Sequence, residues 1–246
     1  MDGKEFIRYE ERSGGHIVRI NCDGGNADFM AETTIMVNVH ALRAASKPFE
    51  ELLDRVKPNL DIDLDAPFKG FKIFANWLKE GEVPMNVDTS LTALQDLCSA
   101  YQVGKQFEVS PHFLDEVMDS IVHAVLQTRV LEHRRTHRDG QDTGAIIKQL
   151  RTTFEQDSLG RRFLVDWLVH GDLTEASGET IWAGGLTSEV KTDATLHAEV
   201  SVGMFREKLC KTSLPPWLED GHECDYHAHV ASGLPCHSSQ SYYPLE

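Results

Sequence analysis

The chain is short of positive charge. It carries 24 Lys and Arg against 39 Asp and Glu, a formal net charge of −15. A broad nucleic-acid footprint wants a basic face, so nucleic acid is set aside as a partner. Long apolar runs are missing too: nothing approaches the roughly 20 residues that span a bilayer, so no membrane partner is expected. The opening residues MDGKEFIRYEERSGG are polar and carry acids, which is expected of neither a secretory signal nor a transit peptide. Cysteine is scarce. Five residues, an odd number and widely scattered, do not read as a disulfide framework, and a reducing compartment, cytoplasm, nucleus or both, is the expectation. There is no internal repeat, glycine-rich phosphate loop, Walker-type lysine or Ser-His-Asp order, so clustered polar machinery for catalysis is wanting.

What is present is a chain with 41% hydrophobic residues, enough for a packed core. Residues 16–22, HIVRINC, read as a strand with Ile17 and Val18 followed by Ile20, and Asp23-Gly24-Gly25-Asn26 after them is turn chemistry. The organising stretch is Thr34 to Leu53. It opens with Ile35, Val37 and Val39 at a strand period, then turns helical through Leu42, Ala45, Phe49, Leu52 and Leu53. Pro48, just after Ser46, marks a fresh helix start. The first two strands are expected to pair as a hairpin or near-hairpin.

Residues 59–65, NLDIDLD, alternate strictly, with Leu60, Ile62 and Leu64 on one side and Asp61, Asp63 and Asp65 on the other. Three acids in such a row fit a divalent metal or a solvated strand face, and the one-sided strand is the plainer reading. Pro67 then opens a helix whose stripe is Phe68, Phe71, Phe74, Trp77 and Leu78, with Gly81 placed to end it. Leu91, Leu94, Leu97, Cys98 and Tyr101 mark another helix, on whose apolar side Cys98 reads as a small buried hydrophobe. Ser110-Pro111 starts a third, with Leu114, Val117, Met118, Ile121, Val122, Val125 and Leu126 along it.

The strings ALRAASKPFEELL, IDLDAPFKGFKIFANWLKEGEVP and LTALQDLCSAYQV, in that order, resemble segments of the BTB/POZ domain family, and more closely those of filamentous-fungal members. The likeness covers residues 15–127. It implies an α+β fold, a small three-stranded sheet flanked by a cluster of α-helices, followed by a mostly helical C-terminal extension. It also implies a non-catalytic protein-interaction module that binds itself as a homodimer and acts as an adaptor or scaffold. A cullin-type ubiquitin ligase or a transcriptional regulator would then be the further partner. In the family the first strand and first helices form the two-fold interface, which here would draw on Ile17, Leu42, Phe49 and Leu52. The chain departs from the animal repressors where their charged pocket lies: Gly15 or His16, and Asn38 followed by Val39, stand at the corresponding places. No short hydrophobic-x-Glu element of the cullin-binding members is matched.

This reading divides the chain into an arm at 1–14, the BTB/POZ domain at 15–127, a linker at 128–144, a helical extension at 145–210 and a Cys/His-containing tail at 211–246. The basic cluster at 129–138, RVLEHRRTHR, fits a nuclear-localisation patch or a helix C-terminus plus linker, and the latter is favoured. Ile146, Ile147, Leu150 and Phe154 mark one helix of the extension. Phe163, Leu164, Trp167 and Leu168 mark a second, on which Asp166 and His170 read as a surface i, i+4 pair. Residues 200–209 suit a last helix. In the tail, Cys224, His227, His229 and Cys236 are the usual zinc-ligand types. Their C-x2-H-x-H-x6-C spacing is not a common finger pattern. The competing expectation is therefore no cofactor and a tail that simply docks. A metal-dependent enzyme built from the tail or the acidic strand is the alternative functional class.

Overall fold

The strand expected at residues 16–22 forms, from Ile17, the middle of a three-stranded sheet. In a computed structural model, which describes residues 17–22, 34–55, 61–83, 90–132, 140–156, 158–170, 188–210 and 226–227, the strands are β1 (Ile17–Cys22), β2 (Thr34–Asn38) and β3 (Asp61–Leu64), in the order β2-β1-β3. β1 runs antiparallel to β2, with Val18 opposite Val37 and Ile20 opposite Ile35. It runs parallel to β3, with Ile20 opposite Ile62 and Cys22 opposite Leu64. One face therefore gathers Val18, Ile20, Cys22, Val37, Ile62 and Leu64, all buried, while Arg19, Thr34, Asp61 and Asp63 lie exposed on the other.

β2 passes directly into α1 (Val39–Ala45) because Asn38 ends the strand and caps the helix: its side-chain oxygen accepts from the N–H groups of His40 and Ala41 at 2.9 and 3.1 Å. Ser46 separates α1 from α2 (Lys47–Arg55); its hydroxyl accepts from the Phe49 N–H and donates to the Phe107 carbonyl. α3 (Phe68–Glu80) turns Phe71, Phe74 and Trp77 inward. Gly81 ends it at φ 79, returning its N–H to the Trp77 carbonyl at 2.8 Å.

Ser90 caps α4 (Leu91–Gln106), and Ser110 caps α5 (Pro111–Glu132). Gly70 on α3 lets the backbone of α4 come close: a Cβ there would sit 2.4 Å from the Ser99 carbonyl carbon and oxygen. Around this contact, Phe49 stacks on Phe74 at 5.6 Å and on Phe107 at 4.6 Å, and Phe113 meets both Phe74 and Trp77 at 5.2 Å.

The remaining described helices are α6 (Gly140–Thr153), α7 (Leu159–His170), α8 (Ser188–Thr192) and α9 (Ala194–Cys210). α7 packs on α6 and α9. Their core holds Ile147, Leu150, Phe163, Leu164, Val190, Leu196 and Val200.

The chain falls into two compact units. One takes its described residues from Met1–Asn86 and Asp96–Ser120, the other from Val87–Gln95 and Ile121–Ser239, and the boundary passes inside α4 and α5. Two expectations change. The stretch 128–144 is not a plain linker, since α5 continues to Glu132 and α6 already begins at Gly140; residues 128–132 contain no helix breaker, and glycine is tolerated at a helix start. The last helix begins at Ala194 rather than Val200, because Asp193 caps it, its carboxylate accepting from the Leu196 N–H at 2.9 Å.

Candidate interaction surfaces

The four residues expected at a two-fold interface separate into two groups. Leu42 and Phe49 are fully buried within their own unit and Ile17 is 7% exposed, so these three belong to the core. Leu52 alone keeps a half-buried side chain, on α2. Apolar spacing marks the inward stripe and the interface stripe alike, so period alone does not separate them. The outward side of α1 and α2 is charged. Arg43 meets Asp54 at 2.8 Å, and Glu51 lies 4.0 Å from Lys47 and 3.6 Å from Arg55. Exposed pairs of this kind contribute little to stability. They make a polar rim around Leu52.

The sheet's outer face carries a polar row across all three strands. The Thr34 hydroxyl donates to Asn21 Oδ1 at 2.9 Å, and Asn21 Nδ2 donates to Asp63 Oδ1 at 2.9 Å. Arg19 lies 3.6 Å from Asp61. The acids of β3 thus have partners on β1, as a solvated strand face would, and no group of three or more His, Cys, Asp and Glu able to hold a metal exists among the described residues. Cys22 and Cys98 are buried and joined in no disulfide. On α4, Asp96 is half-buried; loss of hydration pushes its carboxyl pKa up, and the nearby Lys69 ammonium offsets part of that rise.

In the second unit the tail meets α7. Tyr226 and His227 are 5% and 4% exposed. The Tyr226 hydroxyl donates to Asp166 Oδ2 at 3.0 Å, and its ring stands edge-on to Phe163 with centroids 5.4 Å apart. The Arg162 guanidinium sits 6.0 Å from the ring centre and 3.7 Å from the same Asp166 oxygen. Asp166 was expected to form a surface pair with His170. Its carboxylate instead serves Tyr226 and Arg162, and His170 is buried at 3% exposure, since α7 is covered on more sides than a surface helix. Of the proposed zinc ligands only His227 is among the described residues; Cys224, His229 and Cys236 lie outside them. Nothing local in the sequence singles out Tyr226, because its partner Asp166 is 60 residues away.

α9 presents Val202 and Phe205, 50% and 63% exposed, on the side away from Leu196 and Val200. Among the described residues no helix is long and apolar enough to cross a membrane. No family model, no curated protein and no solved structure matches the chain.

Proposed function

We propose that this chain is a protein-interaction module of the BTB/POZ kind, non-catalytic, that associates with a second copy of itself and serves as an adaptor or scaffold. The observation that carries the reading is the order of elements in the first unit: strand, strand, two short helices, strand, then longer helices, around the sheet β2-β1-β3. That order is the one the family resemblance implies, and fold likeness bears on function only by analogy. A cullin-type ubiquitin ligase or a transcriptional regulator is the proposed further partner, in the cytoplasm, the nucleus or both, and the role requires no cofactor.

Self-association is assigned to the α2 surface around Leu52. An interface with two-fold symmetry uses the same patch from both copies, so one substitution strikes it twice. Leu52→Arg is expected to convert dimers to monomers in light scattering while the melting temperature stays near that of wild type. A wild-type chain already monomeric at about tens of micromolar, the range in which a weak polar-rimmed interface still assembles, would remove the self-association reading. Affinity capture from the native cell separates the two partner classes: cullin and ring-finger subunits point to a substrate adaptor, chromatin factors to a regulator.

A further inference from the structure

We draw no further inference here: the strongest candidate, the face of α9 that carries the exposed Val202 and Phe205, is an apolar surface patch for which nothing in the structure shows what covers it.

Discussion

Arg161, 6% exposed on α7, places its Nε 2.8 Å from Glu199 Oε2 on α9. Asp193, the residue that caps α9, lies 3.8 Å from the same guanidinium and 3.9 Å from Arg151 on α6. The two cations Arg161 and Arg151, meeting at Asp193, therefore link α6, α7 and α9. Glu199→Leu leaves Arg161 short of its nearest acceptor and is expected to cost about 2 kcal/mol, below the full cost of a buried pair because Glu199 is 29% exposed. Urea unfolding checks the value. Adding Arg161→Leu should recover part of the loss, since the stranded charge is then gone; a double variant less stable than wild type by the sum of the two single losses would mean the pair is not coupled.

Gly70→Ala is expected to destabilise the first unit by about 2 kcal/mol or more, because the added Cβ meets the backbone of Ser99, which cannot rotate away as a side chain would. The reverse change at the exposed Ala44, Ala44→Gly, should cost under about 1 kcal/mol, the helix-propensity difference alone. Thermal melts of the two variants side by side test the contrast. Equal shifts would mean that α3 and α4 separate easily.

Asp96 supplies a pH test. Its folded pKa lies above the ordinary 3.8 because burial disfavours the charged form, so folding binds a proton more readily than the unfolded chain does. The linked stabilisation is fully present below the unfolded pKa and is lost as pH rises through the raised folded value. Asp96→Asn removes this ionisation cost. The variant should gain on wild type at neutral pH, and its advantage should shrink as pH falls toward 3.8. A difference that does not change with pH would exclude desolvation as the cause.

Zinc in the tail is decided by elemental analysis of protein purified without a histidine tag. The expected result is no stoichiometric metal, since His227 and His229, one residue apart, make a poor pair for one tetrahedral ion. About one equivalent of zinc, with chelator making residues beyond Pro215 protease-sensitive, would instead establish a Cys224, His227, His229 and Cys236 clamp of the kind in which metal supplies folding free energy.

Much of the first unit was legible before any coordinates. Ile62 and Leu64 declare their faces by alternation, and Phe71, Phe74 and Trp77 by helical spacing. The cap at Asn38 shows only in the structure, since the strand period reads on to Val39, whereas Pro67 and Gly81 announce the ends of α3 through backbone chemistry that acts within one turn. These are local properties, carried by a few consecutive residues and therefore readable from them. The tertiary structure alone decided that β1 pairs in parallel with β3, that Leu42 and Phe49 are core while Leu52 stays half-buried, that Glu199 answers Arg161, and that Tyr226 reaches Asp166. Those outcomes depend on which surfaces come together after long stretches of chain have folded between them. An apolar or charged side chain has the same local signature whatever partner it later meets.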